Sequence, residues 1–361
     1  MVCATKQHVG KTSASLGLFQ KLLNKYDSVG YIKPVGQMTQ NSHGVQVDKD
    51  VKLFLDHFNL DKQWINYMSP ILLNGRNTRD YVDKNLDVNV ALNKTIESFN
   101  ILKDNHDFVM VEGTGHVAVG SIVNCNNAQI AKHLNTDIAL VVSGGIGSMY
   151  DHLYPNVKLC DQHGVNIRSI IVNKIHPEKM DMVQDYGEKL LKPICDSLHY
   201  IPFKPDIDSL SMNHLERIFK TKLEVSRHLL HNKFSSIELL VADRTQVDVV
   251  SQNPGSSPLY IVHHTRFDII MKLLCQKMHS PNLNLGILLT GIDTKPTKYN
   301  NFIMHMAEYL NIPVLFSNCK TIESFDMVQS YTLKPDASGK DTVNTISNHY
   351  AKHIDLSSIC I

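Results

Sequence analysis

The chain has 361 residues, 43% hydrophobic and 20% charged, with a formal net charge of +1. That composition suits a globular protein able to bury a core, and two domains are the expectation at this length. The balanced charge, without a basic run, gives no electrostatic reason to expect a nucleic-acid or anionic-membrane partner. No apolar stretch is long enough to span a bilayer, and seven scattered cysteines without a Cys-x-x-Cys fit a reducing, cytoplasmic location.

The first element is the end of a strand, Met1-Val2-Cys3, running into Ala4-Thr5-Lys6-Gln7-His8-Val9-Gly10-Lys11-Thr12. A buried strand normally has about five residues, which leaves open a start upstream of Met1. After Thr12 come Leu16, Phe19, Leu22 and Leu23 at helical spacing. Strand, Gly-Lys-Thr loop and helix form the layout of a phosphate-binding loop. Backbone N–H groups surround an anionic chain, and the helix turns its positive end toward it. Residues Thr5, Lys6, Gln7, His8, Val9, Gly10, Lys11, Thr12 and Ser13 are therefore the candidate nucleotide cradle. Lys11 would reach the β/γ-phosphates and Thr12 would bind Mg²⁺. The pattern departs from G-x-x-x-x-G-K-[ST] at Ala4, which replaces the first glycine. Lys6 occupies the place of an extra "signature" lysine that can contact phosphate across a dimer interface; a solvated loop lysine is the other reading.

Downstream, short β-rich runs alternate with helical patterns. Strands are expected at 29–32, 108–111, 138–142, 167–172 and 199–201. Helices are expected at 51–58, 90–102 (Leu92, Ile96 and Phe99 on one face), 127–134 and 179–191. This alternation predicts an α/β fold with a parallel sheet covered on both faces. Ligands in such sheets bind beyond the carboxyl ends of the strands. The loops there are Lys33-Pro34-Val35-Gly36-Gln37, Glu112-Gly113-Thr114-Gly115-His116, Ser143-Gly144-Gly145-Ile146-Gly147-Ser148, and Asn173-Lys174. Glycines and polar groups gather at one end, as a nucleotide site requires. Residues 1–205 are assigned to this domain and 206–211, after Pro202 and Pro205, to a linker. A smaller α/β domain is expected over 212–335. Its strands are expected at 237–241, 259–262, 285–289 and 314–316, and its helices at 267–278, 299–310 and 322–329. A closing helix at 341–353 lies within a C-terminal segment, 336–361. The adjacent His263-His264 pair lacks a Cys or carboxylate at ligand spacing, so it is read as structural.

Taken together these motifs resemble the dethiobiotin-synthetase-like phosphate-loop family. Thr5–Thr12 resembles its T-x-x-x-V-G-K-T, Lys33-Pro34-Val35 its K-P-V, and Val111-Glu112-Gly113-Thr114-Gly115 its V-E-G-A-G. They also resemble the related N-terminal regions found in bacterial phosphate acetyltransferases and in stand-alone proteins. There the phosphate-loop domain is followed by a DRTGG domain, which Leu288-Leu289-Thr290-Gly291 and His264-Thr265-Arg266-Phe267-Asp268-Ile269-Ile270 resemble. The resemblance implies ATP and Mg²⁺ as ligands, Lys11 and Lys33 as catalytic lysines, and Lys33 at the acceptor end. It implies Thr12, Asp50 and Glu112 at the metal, with Asp48 competing with Asp50, and Asn173 as the reader of adenine. It implies a homo-oligomer, a dimer, and an unidentified small-molecule acceptor or effector. Two functions follow: an ATPase or ATP-dependent carboxylate- or carbamate-activating enzyme, or a nucleotide-sensing regulatory module. The synthetase has a serine after K-P-V and an acid before Val-Gly-Lys-Thr. Here those regions read Gly36-Gln37-Met38 and His8, so biotin chemistry is not assigned. Acetyl transfer is not assigned either, because that chemistry belongs to a separate domain for which a chain ending at Ile361 leaves no room.

Overall fold

The computed structural model describes residues 1–73, 75–83, 88–143, 145–223, 225–241, 256–292, 298–331 and 340–359. Gly144, residues 332–339 and the last two residues, all within expected elements or loops, lie outside the described residues. The chain forms two units: Met1–Lys204 together with Lys334–Ile361, and Pro205–Leu333.

The first unit is built on a six-stranded parallel sheet. Its strands are β1 (Val2–Ala4), β2 (Val29–Ile32), β7 (Phe108–His116), β8 (Ile138–Ser143), β9 (Ile167–Ile175) and β10 (Ser197–Pro202), in the order β10-β9-β8-β1-β7-β2. β1 sits between β7 and β8, pairing Val2 with Glu112 and with Ala139. The strands are continuously apolar because both faces are covered. On one face Cys3, Leu140, Val142, Ile170 and Val172 are buried with Met149, Leu153, Val183 and Leu191. The last four side chains come from α7 (Ile146–His163) and α8 (Met180–Leu191). Close to α1 (Lys11–Leu23), Phe19 meets Tyr31 edge-on at 6.1 Å and Phe54 at 5.3 Å. Tyr31 and Phe54 stack at 3.9 Å, Phe54 coming from α2 (Lys49–Phe58). Leu92, Ile96 and Phe99 of α5 (Val88–Asn105) line one core cluster, as their spacing predicts.

Several elements were not expected. Helix α7 contains Pro155, which interrupts the helical signal. An antiparallel hairpin, β4 (Thr39–Ser42) with β5 (Val45–Asp48), follows the Lys33-Pro34-Val35 turn. A two-residue pair joins β3 (Val35–Gly36) to β6 (Ile71–Leu72). The closing helix spans Lys340–His353 and belongs to the first unit, packed along α1. There Ser347 Oγ donates to the Leu16 carbonyl at 3.1 Å and Gln20 Nε2 donates to Asn348 Oδ1 at 2.7 Å.

The second unit holds a four-stranded parallel sheet in the order β11 (Ser236–Leu240), β12 (Pro258–His263), β13 (Gly286–Thr290), β14 (Val314–Phe316). Tyr260, Val262, Ile287 and Leu289 face one apolar cluster, and Leu259, Ile261, Leu288 and Leu315 face the other. The segment expected as a linker carries a turn of helix, Pro205–Asp208, and Ser211 caps the unexpected helix Met212–Phe219 through a capping box with His214.

Candidate nucleotide site at the carboxyl ends of the strands

The loop between β1 and α1 begins with Thr5 N donating to the Val141 carbonyl at 3.0 Å. Its left-handed positions are His8 (φ 67°) and Gly10 (φ 96°). Ala4 is buried at the end of β1, paired with Val141, and has no positive φ. This is why alanine serves where the usual pattern has glycine: the turn is made further on. Gly10 cannot be exchanged in the same way, since an added Cβ would collide with the Asn173 amide. Gly10 also caps α1 without any side-chain hydrogen bond, so no side-chain acceptor fills the helix's amino end.

Six of the expected residues form one network, Asp48 among them. Lys11 Nζ pairs with Glu112 Oε1. Thr12 Oγ1 donates to Glu112 Oε1 at 3.2 Å and lies 3.4 Å from Asp50 Oδ2. Lys33 Nζ pairs with Asp50 Oδ2 and lies 2.9 Å from Asp48 Oδ1. Glu112 is fully buried, and the Tyr31 hydroxyl interacts with its carboxylate. Burial alone would lower the Lys33 pKa, but the charges of Asp50, Asp48 and Glu112 outweigh it and hold the ammonium firmly protonated. Burial, followed by the same three carboxylates, raises the Tyr31 hydroxyl. The two lysines face three carboxylates, which leaves negative charge for a cation.

Asp48 and Asp50 divide the work. Asp48 caps α2, accepting from Asp50 N at 2.9 Å, and also accepts from Gln37 N at 2.9 Å and Met38 N at 3.2 Å. Asp50 is the carboxylate next to Thr12. Asn173 is buried at the end of β9. Its Nδ2 donates to the Val9 carbonyl at 2.7 Å and to Tyr350 Oη at 2.9 Å, and its Oδ1 accepts from Lys174 N at 2.9 Å. Lys6 is half-buried, Gln7 and His8 are exposed on the rim, and Ser13 is buried in α1. Sequence reasoning missed Asn156. Its Nδ2 donates to the Thr5 carbonyl at 3.1 Å, and its Oδ1 accepts from Val117 N at 3.0 Å. Asn156 lies one residue after Pro155, in the helix whose pattern the proline obscures.

Among the described residues no three His, Cys, Asp or Glu side chains gather at metal-holding distance. Mg²⁺ commonly takes one or two protein carboxylates and completes its shell with water and phosphate oxygens. Thr12 beside Asp50 and the buried Glu112 carboxylate fits that requirement.

A parallel sheet with a glycine-lysine-threonine loop after its central strand, and an acidic residue on the neighbouring strand, defines a phosphate-loop domain. Residues 1–209 match the AAA_26 family, described as an AAA domain, and the chain belongs to that family. Phosphate acetyltransferase of Nitratidesulfovibrio vulgaris is 22% identical over 368 aligned positions, which cover 99% of this chain and 50% of that protein. The chain thus spans half the length of this relative. ATP-dependent dethiobiotin synthetase BioD of Caldicellulosiruptor saccharolyticus is 26% identical over 228 positions, covering 61% of this chain and 91% of that protein. A ParA family ATPase from Chlorobium tepidum overlays at TM-score 0.37 with 16% identity, covering 57% of this chain and 86% of that one. The fold assignment rests on the strand order above. No described helix is long and apolar enough to cross a membrane.

Proposed function

We propose that the first unit binds Mg²⁺-ATP at the 5–13 loop and is an ATPase or an ATP-dependent activator of a carboxylate or carbamate. The observation that carries this reading is the connected set Lys11, Thr12, Glu112, Asp50 and Lys33 at the end of a helix whose amino terminus has no side-chain cap. Lys11 would leave Glu112 for the phosphates, while Glu112, Asp50 and Thr12 would hold the metal. Lys33, buried and permanently charged, would sit at the acceptor end; Asn173, expected at the base, instead has both amide hydrogens engaged by the Val9 carbonyl and Tyr350. Bound Mg²⁺-ATP supplies an electrophilic γ-phosphoryl group, which positioning and charge neutralisation activate with little covalent help from the protein.

The test is a thermal-shift series of nucleotides with Mg²⁺. A ligand at about a hundred times its Kd stabilises by about 2.7 kcal/mol, and Lys11→Ala is expected to remove that shift. Equal shifts in wild type and variant would refute the reading. A second reading is a nucleotide-sensing module in which the second unit, DRTGG-like by its motifs, takes a partner or effector. It is supported by the phosphate acetyltransferase alignment, which spans both units, whereas the synthetase alignment covers 61% of the chain. Turnover that requires a carboxylated amine supports the enzyme. Slow hydrolysis indifferent to acceptor, with a nucleotide-dependent change in dimer assembly, supports the module.

A further inference from the structure

A phosphate loop works by turning its N–H groups inward, so its carbonyls must turn outward and find donors elsewhere. Two asparagines from outside the loop meet that need, Asn156 at the Thr5 carbonyl and Asn173 at the Val9 carbonyl. A primary amide can rotate and offer the wrong atom, and an Asn173 turned by half a rotation would push its oxygen against the Val9 oxygen. Its orientation is set by its other two partners. Lys174 N donates to Oδ1, and Tyr350 Oη accepts the second amide hydrogen. Tyr350 comes from the C-terminal helix, is 2% exposed, and lies far from the loop in sequence. Gly17 brings it there. At that position α1 has no side chain, and the helix bearing Tyr350 and Ala351 approaches closely.

We propose that Tyr350 is a positioning residue of the phosphate loop. Through Asn173 it keeps the Val9 carbonyl outside the cradle, so that the loop amides stand ready for a polyphosphate. The inference deepens the nucleotide-binding reading above and rests on it. Loss of the hydroxyl leaves a buried amide hydrogen unpaired. Asn173 relieves this by moving, and the loop loses its preset shape.

The test measures Kd for ATP, GTP and inorganic tripolyphosphate, each with Mg²⁺, alongside the ligand-free melting temperature, for wild type, Tyr350→Phe and Ser347→Ala. Tyr350→Phe keeps the buried ring, so its ligand-free melting temperature is expected to fall only by the amount one lost hydrogen bond explains. Its affinity is expected to fall about three- to tenfold, the range one neutral hydrogen bond carries, and by the same factor for each polyphosphate that the wild type binds. Ser347→Ala removes a bond between the same helix and α1. It is expected to lower the melting temperature while leaving Kd unchanged. An unchanged Kd in Tyr350→Phe overturns the proposal. So does a loss confined to one base, which would make Tyr350 a base contact, and so does an equal loss of affinity in Ser347→Ala, which would make helix docking alone responsible. If wild type binds none of the three ligands, the nucleotide reading itself fails, a result separate from the other outcomes.

Discussion

Gly17→Ala tests the contact that seats the C-terminal helix. An alanine Cβ at this position would lie 2.5 Å from Tyr350 Cβ and 2.7 Å from the Ala351 backbone nitrogen. Optimal carbon contacts are about 3.5–4.0 Å, so the helix must retreat by about 1 Å. The obstacle is backbone on the facing helix, which cannot swing aside as a long side chain would. Overpacking of this kind costs about 1–3 kcal/mol. The retreat also stretches the Ser347–Leu16 hydrogen bond of 3.1 Å, worth about 1 kcal/mol. Replacing glycine by alanine inside a helix returns about 1 kcal/mol. The net expectation is a loss of about 1–3 kcal/mol, or about 4–8 °C in Tm at the middle of that range for a unit of this size. Scanning calorimetry or urea unfolding of the full chain reads it. An unchanged or raised Tm would show that propensity outweighs packing here and that the helix is not held closely by α1.

Lys33→Met leaves Asp48 and Asp50 without their cation, and breaking a buried pair in this way costs about 3–5 kcal/mol. Urea midpoints of wild type and variant at pH 7 check it. Glu112→Gln removes the partner of Lys11 and a candidate metal ligand. Nucleotide affinity measured calorimetrically with and without Mg²⁺ should then lose most of its Mg²⁺ dependence. Asn156→Ala frees the Thr5 carbonyl and leaves Val117 N unpaired. It should weaken nucleotide binding about three- to tenfold, read as Kd. Burial lowers the pKa of His199, whose ring accepts from Asp355 N at 3.3 Å. The unfolded chain therefore binds more protons below the ordinary histidine value of 6.5. The His199 contribution to stability is full above that pH and is lost as pH falls toward the lowered value. His199→Gln should flatten the wild-type decline between pH 7.5 and 5.5 in urea unfolding.

The parallel sheet was legible because burial on both faces writes strands as unbroken apolar runs. Ile138–Ser143 and Val29–Ile32 stand out for that reason, and the ligand end follows from strand direction alone. The loop was legible because Gly10-Lys11-Thr12 is a local motif. Its tolerance of Ala4 was not legible, since that depends on which residue takes the left-handed turn, and His8 does so despite its Cβ. Helix α7 was hidden by Pro155, and Asn156 was hidden with it. Its role also depends on two acceptor–donor partners more than thirty residues away in sequence.

The competition between Asp48 and Asp50 shows what a motif leaves open. Both are acidic, two residues apart, at the start of one helix, and either could stand beside Thr12 by spacing alone. The hairpin decides it. Its return strand ends at Val47-Asp48, so Asp48 becomes the residue whose side chain caps α2 and receives the 37–38 amides. With those bonds made, Asp48 is committed to holding the turn. One step into the helix, Asp50 projects toward Thr12 and shares Lys33 with Asp48. Glycine is required at position 36 for the same reason, because a Cβ there would lie 2.7 Å from that of Asp48. The two carboxylates are thus separated by the backbone hydrogen bonds available to each, information carried by the ten-residue hairpin 39–48, which no pattern of apolar residues announces.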